Sequence, residues 1–352
     1  MNKINITVEA VAGALKHVVH PATGKDIVSS GMVRNIEIDG LEIAFTLVFA
    51  KAQDPVKNAV IRACEKTLRF YVHPEARTNI RVQPVQEKIA AQPAAPAGRV
   101  IVVASGKGGV GKSTVAVNLA VALVRMGYRV GLLDADIYGP SLPKMLGMEG
   151  VQPEMRIVDG SERIIPVERE GVRMLSVGFF VRPEDAVIWR GPMASAMLKR
   201  LICQSEWGHP DFLLVDLPPG TGDVHLTIVQ ELEITGAVMV GTPQQVALAD
   251  VIKSISMFRN EKVNVPVLGL VENMAWFTPA ECPDNRYYLF GKEGCRQLAE
   301  REHLPLLAQI PIVQSISESG DSGQPVVAGD DSPVAQVFME LAQNMIYQLN
   351  RL

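Results

Sequence analysis

"RVIVVASGKGGVGKSTVAVNLAVALVRMG", Arg99 to Gly127, runs from an almost wholly apolar stretch through a glycine-rich turn into a segment with helical spacing. That order is strand, loop, helix, the setting in which GxxxxGK[ST] acts as a phosphate loop. Gly106, Gly108, Gly109 and Gly111 carry no Cβ. Backbone N–H groups can therefore wrap phosphate oxygens, while the helix that follows presents its positive end. Lys112 is placed to neutralise β- and γ-phosphate charge, and the Ser113 hydroxyl to coordinate Mg2+. With Lys107, Val110 and Thr114, these residues are the expected nucleotide-binding set, and ATP with Mg2+ the expected cofactors.

Further apolar runs follow: "RVGLLDAD", "DFLLVD", "GAVMVGT" and "PVLGLVEN", separated by helical segments. Runs apolar on both faces suit a parallel sheet covered on both sides. A doubly wound, mostly parallel α/β fold is expected over 99–352, with ligands beyond the carboxyl ends of the strands. Two of those ends carry carboxylates. Asp216, after four apolar residues, is the candidate for holding Mg2+ through water, and Asp136 for orienting an attacking water. Asp134 is either a supporting partner or a cap for the next segment. Asp223 lies where a switch segment would follow. Pro218 and Pro219 are read as fixing the turn, His225 as a packed or exposed side chain rather than a ligand, and Asp321 as a loop residue in preference to a nucleotide contact.

Upstream, "QPVQEKIAAQPAAPAG" has no periodic apolar face and reads as a linker over 84–98. Residues 1–83 switch between helical spacing (Val8, Val11, Ala12, Leu15, Val18; then Val56, Val60, Cys64, Leu68) and strand alternation (Leu41, Ile43, Phe45, Leu47, Phe49). A small α+β domain is predicted there.

The lysine after the first glycine, Lys107, is not required by an ordinary phosphate loop. "GKGGVGKS" resembles the deviant Walker A motif of the MinD/ParA and nitrogenase iron protein class. The resemblance implies a nucleotide-sandwich homodimer in which Lys107 reaches the partner's nucleotide, joining Lys112 and Asp136 as catalytic residues. A cation delivered only on pairing would stabilise transition-state charge as an arginine finger does. Within that class, "VIWRGPMASAMLKRLI", "WGHPDFLLVDLPPGTGDVHLT", "GTPQQVALAD", "VENMAWF" and "FGKEG" stand in the order found in the Mrp/ApbC family of iron–sulfur cluster carrier ATPases. The N-terminal segment resembles the MIP18-like domain often fused ahead of them. The resemblance implies cluster delivery to apo iron–sulfur proteins, contact with cluster-assembly proteins, and Asn273 reading the nucleotide base, for which an amide offers both donor and acceptor.

The resemblance fails at one place. Members carry a CPxC-type pair shortly after the segment matching "NMAWF", where each subunit supplies two cysteines to a shared [4Fe–4S] cluster. Here Pro279 stands at the first cysteine and Cys282 at the second. A symmetric dimer then offers two thiolates against the four a cubane normally takes. Cys282 is left to hold a cluster with other ligands such as Asp284 or Cys295, to share a transferable [2Fe–2S] cluster with exogenous thiols, or to hold none. Cys64 and Cys203 fall in apolar helical stretches and are read as packing residues. Asp54 replaces a cysteine that related N-terminal domains often place before proline.

Composition sets bounds on function. The 352 residues are 47% apolar and 20% charged with a net charge of −4, which gives no basic face for nucleic acid. No run reaches the roughly 18 apolar residues of a membrane span, so a cytoplasmic protein is expected. A MinD/ParA-type positioning or partition ATPase is the competing function. The C-terminal helix, with Val334, Phe338, Leu341, Met345, Leu349 and Leu352 on one face, has only Arg351 as a basic residue. Membrane-surface helices normally carry several, so packing against the domain is expected and stable membrane association is not.

Overall fold

The structure, a computed structural model, describes residues 6–21, 24–49, 56–84, 98–158, 160–180, 191–279, 281–282, 284–329 and 331–352. The linker reading, apart from its first and last residues, and the reading of Asp54 lie outside the described residues. By its contacts the chain divides into two compact units, Met1–Ala91 and Gln92–Leu352.

The first unit consists of α1 (Val8–Leu15), β1 (Val33–Asp39), β2 (Glu42–Phe49), α2 (Lys57–Tyr71) and β3 (Arg77–Pro84). β2 is central, antiparallel to β1 and parallel to β3. Strand alternation puts Ile43, Phe45, Leu47 and Phe49 on one side, where they bury against Val60, Cys64 and Leu68 of α2. α1 departs from the expected face. Val8 is 46% exposed, whereas Val11, Ala14 and Leu15 are buried. Thr7 caps the helix through Ala10 N, which makes Val8 its first residue and turns it away from the core.

The second unit comprises β4 (Arg99–Ser105), α3 (Lys112–Arg125), β5 (Val130–Asp134), α4 (Leu142–Met145), β6 (Met155–Val158), β7 (Ser161–Ile164), β8 (Val167–Arg169), β9 (Val172–Ser176), α5 (Gly191–Cys203), β10 (Phe212–Asp216), α6 (Asp223–Glu231), β11 (Ile234–Gly241), α7 (Gln245–Arg259), β12 (Val267–Phe277), α8 (Gly294–Glu302), β13 (Leu306–Ile312), α9 (Gln314–Ser322) and α10 (Pro333–Leu349). Eight strands form one sheet in the order β13-β12-β11-β4-β10-β5-β9-β8. All neighbours run parallel except β8 against β9. A sheet clad on both faces needs strands buried on both sides, and β5 and β10 are buried along their full length.

α3 is apolar almost all round because it is covered twice, by the sheet on one side and by α10 on the other. Val334, Phe338, Leu341, Met345 and Leu349 of α10 are buried in that layer, while Leu352, beyond the helix end, is 70% exposed. The apolar face of the C-terminal helix is therefore spent on the core. No helix among the described residues is long and apolar enough to cross a membrane.

Candidate nucleotide site and the Cys282 loop

Parallel register brings the carboxyl ends of three adjacent strands into line. Asp216 of β10 pairs with Asp134 of β5, which pairs with Ser176 of β9. Residues in register on neighbouring strands project to the same face, so the sheet itself assembles this row. Beside it, β4 ends at Ser105 and the chain enters the glycine turn. Gly106 is required by close approach: a Cβ there would collide with the backbone of Asp250 and Val251 in α7. Gly111 has φ of 82° and serves as the N-cap of α3, a conformation that glycine adopts without strain.

Lys112 is buried at the start of α3, and its Nζ donates to Asp216 Oδ1 at 2.7 Å and lies 3.6 Å from Asp136 Oδ2. The Ser113 hydroxyl donates to Asp216 Oδ2 at 2.6 Å. Asp134, fully buried, accepts from Ser176 Oγ at 2.8 Å and from the Asp136 backbone N–H at 3.2 Å. It thus buttresses the turn that presents Asp136. Burial raises the pKa of all three carboxyls; the Asp216 charge adds to the shift at Asp134, and Lys112 opposes the shift at Asp136 and Asp216. Asp216 and Asp136 flank the ammonium, and with the Ser113 hydroxyl they set oxygen donors at the strand ends, of the kind a hard divalent cation prefers.

Above this cluster is an open cleft of about 160 Å³ lined by Lys107, Gly108, Gly109, Gly111, Lys112, Ser113, Thr114 and Asp136. Ser105, Ser141, Met145 and Pro219 also line it. Pro219, read from sequence as only fixing its turn, therefore faces the cleft as well. Ser176 and Ser141 carry no motif of their own, and only the register of β9 and the turn before α4 bring them in. Lys107 is exposed and makes no ion pair among the described residues. Its carbonyl accepts from Ser105 Oγ at 3.0 Å, which fixes the turn while leaving the ammonium outward.

Asn273 is 7% exposed, and its Nδ2 donates to Val110 O at 2.8 Å, so the amide touches the phosphate loop. One reading is corrected. Asp321 lies in α9, 75% exposed, 3.6 Å from Lys144, in a helix where a loop was expected. His225, near the start of α6, is buried with no hydrogen-bond partner for either ring nitrogen among the described residues, and burial lowers its pKa.

Of the four cysteines only Cys282 is exposed. It lies beyond β12 in a turn, its N–H donating to Pro279 O at 3.1 Å and its carbonyl accepting from Asn285 N at 3.0 Å. Cys295 is fully buried in the first turn of α8, which removes it as a partner for a metal at Cys282. Burial, with the neighbouring Glu272 charge, pushes its thiol pKa up. Cys64 is pushed up to about 12, also by burial. Cys203 is half-buried, its Sγ 3.6 Å from Glu231 Oε2, and its pKa is raised by burial first and by that carboxylate second. Among the described residues no three His, Cys, Asp or Glu side chains cluster to hold a metal ion. Reaction rate follows thiolate fraction and access. Iodoacetamide near pH ~8 is therefore expected to label Cys282 in the native protein, and the other three only after unfolding, as peptide mass spectrometry would show. Equal native labelling of Cys295 would contradict this placement.

The family model described as NUBPL iron-transfer P-loop NTPase matches residues 97–346, and the iron-sulfur cluster assembly protein model matches residues 8–82. The chain is 39% identical over 344 residues to the iron-sulfur cluster carrier protein of Synechocystis sp., covering 97% of each chain. It is 52% identical over 248 residues to the protein of the same name from Aquifex aeolicus, covering 69% of this chain and 66% of that one. Among solved structures it is similar to a nucleotide-binding protein from Archaeoglobus fulgidus in complex with ADP, at 37% identity and a TM-score of 0.58, over 69% of this chain and 92% of that one.

Proposed function

We infer the function of this chain from the family to which it belongs, the NUBPL-type iron-transfer P-loop NTPases. It is an ATP-hydrolysing carrier of iron–sulfur clusters, acting in the cytoplasm as a homodimer and delivering its cargo to apo iron–sulfur proteins. The observation that carries this reading is the presence, in one chain, of a complete phosphate loop over a buried Lys112–Ser113–Asp216 cluster and of a single exposed thiol, Cys282.

Bound ATP would supply the phosphoryl group, and Mg2+ the positive charge that offsets what develops during transfer. Ser113 and, through water, Asp216 would hold the metal. The glycine turn offers N–H groups to the phosphates, and Lys112, already aimed between Asp216 and Asp136, adds positive charge on the same side. Asp136, presented by the turn that Asp134 supports, orients the attacking water. Lys107 has no partner in its own loop, so it is available to a second subunit, and hydrolysis becomes conditional on pairing.

Cys282 is the cluster-binding thiol. Two subunits supply two thiolates, and Cys295 is buried away, so the remaining iron positions are taken by exogenous thiols on a transferable cluster. Anaerobic reconstitution with iron, sulfide and a small thiol is expected to give a visible chromophore and bound iron in the wild type and neither in Cys282→Ala. A chromophore of equal intensity in Cys282→Ala would sink this assignment.

A further inference from the structure

Asp136 reaches the cleft from a short turn beyond β5, and a chain of three hydrogen bonds ties that turn to the end of β9. The Gly178 N–H donates to Ser176 Oγ at 2.9 Å, Ser176 Oγ donates to Asp134 Oδ2 at 2.8 Å, and the Asp136 N–H donates to Asp134 Oδ1 at 3.2 Å. Ser176 and Asp134 are both fully buried, so bulk water does not compete for the bond between them. A hydroxyl has one proton to give. With Gly178 N–H on one of its lone pairs, the Ser176 hydroxyl directs that proton at Asp134, and each oxygen of the buried carboxylate has a fixed donor.

The same strand end also meets the far side of the turn. Gly178 leaves room for the approach, since a Cβ there would stand 3.2 Å from Pro140 Cβ and 3.3 Å from Pro143 Cγ. Ser141, between those two prolines, lines the cleft together with Asp136. Ala135 and Ile137, on either side of Asp136, are buried in one apolar layer with Val177. The segment that carries Asp136 and Ser141 is thus held at both ends by Ser176–Gly178. Ser176 itself is not among the residues that line the cleft, so its loss acts on the placement of a neighbour rather than on a contact with ligand.

We propose that Ser176 is a positioning residue for hydrolysis: its hydroxyl fixes the Asp134 carboxylate, which fixes the Asp136 backbone and so aims the Asp136 side chain at the attacking water. The role rests on the reading of Asp136 as the residue that orients that water.

The test measures phosphate release by the full chain over a range of ATP concentrations. Ser176→Ala is expected to lower kcat by roughly tenfold or more, within the hundredfold that a displacement of about 1 Å can cost, with KM for ATP within about twofold of wild type. Ser176→Thr keeps the hydroxyl and recovers most of the rate. Ser176→Cys fills similar space with a weak donor; it is expected to be slow like alanine and replaces it should alanine impair folding. Asp136→Asn identifies the route. A residue that acts only through Asp136 has little left to lose once that carboxylate is gone, so Ser176→Ala adds no further loss in that background. The proposal is overturned by Ser176→Ala at the wild-type rate, by a loss confined to KM, by a threonine variant as slow as alanine, or by losses that multiply in the double variant. A slow Asp136→Asn beside a wild-type rate in Ser176→Ala refutes the role of Ser176 and leaves the reading of Asp136 standing. Asp136→Asn at the wild-type rate refutes that reading and the proposal with it.

Discussion

Replacing Lys107 with alanine lowers ATP turnover by about a thousandfold, the low end of what a cation supplied in trans contributes to phosphoryl transfer, and leaves nucleotide affinity close to wild type. The two lysines of the loop differ in setting. Lys112 is 6% exposed and committed to Asp216, whereas Lys107 is exposed and unpaired among the described residues. A side chain with no role in the resting loop and a place on the rim of the cleft contributes chiefly when a second surface closes over the nucleotide. Phosphate release measures the rate, and a mixing experiment tests the trans geometry. A Lys107→Ala subunit keeps its own Asp136, and an Asp136→Asn subunit keeps its own Lys107, so a mixed dimer contains one complete site. Random pairing should restore roughly a quarter of wild-type turnover, since half the dimers are mixed and each has one of two sites complete. A mixture as inactive as its parents would place Lys107 in cis.

Lys112→Met is expected to cost about 3 kcal/mol or more of stability as well as abolishing nucleotide binding. The ammonium is the near partner of Asp216, which is fully buried beside Asp134, and removing one member of a buried pair leaves an uncompensated charge. Adding Asp216→Asn should recover most of the lost stability and none of the activity. The pH dependence has a definite sign. Burial already holds the Asp216 pKa above its ordinary value, and losing the lysine raises it further. A carboxyl that binds its proton more tightly when folded loses stability as pH rises. Both proteins therefore lose stability above the ordinary carboxyl value, and the variant should become progressively weaker relative to wild type from the wild-type Asp216 pKa up to its own higher one. All three tryptophans, Trp189, Trp207 and Trp276, lie after residue 92, so their fluorescence in a denaturant titration follows the second unit. Equal stability of Lys112→Met and wild type would show that the buried acids are already neutral.

The nucleotide site was legible because its signal is local. Four glycines, two lysines and a serine within one strand–loop–helix specify a backbone shape with few alternatives, and apolar runs ending in Asp134 and Asp216 identify strands whose ends meet in a parallel sheet. Ser176 was not legible. Its strand, "VRMLS", is short and alternates at an exposed Arg173, so no continuous apolar run marks it, and only pairing with β5 brings the hydroxyl to Asp134. β13 escaped for a similar reason: half-buried along most of its length, it has neither clean alternation nor a full apolar run. The Asn273 amide and the Cys295 thiol illustrate a different limit. Both residue types can bind ligands, and what each does depends on which face of β12 or α8 the tertiary packing covers. Here packing turns the amide onto Val110 and the thiol into the core.

Native mass spectrometry of anaerobically reconstituted protein tests the central claim most directly, because it counts subunits, irons and sulfides in a single particle. A dimer carrying one cluster in the wild type, and no iron in Cys282→Ala, is the predicted result. A cluster retained by Cys282→Ala, or iron held by wild-type monomers, would contradict the account.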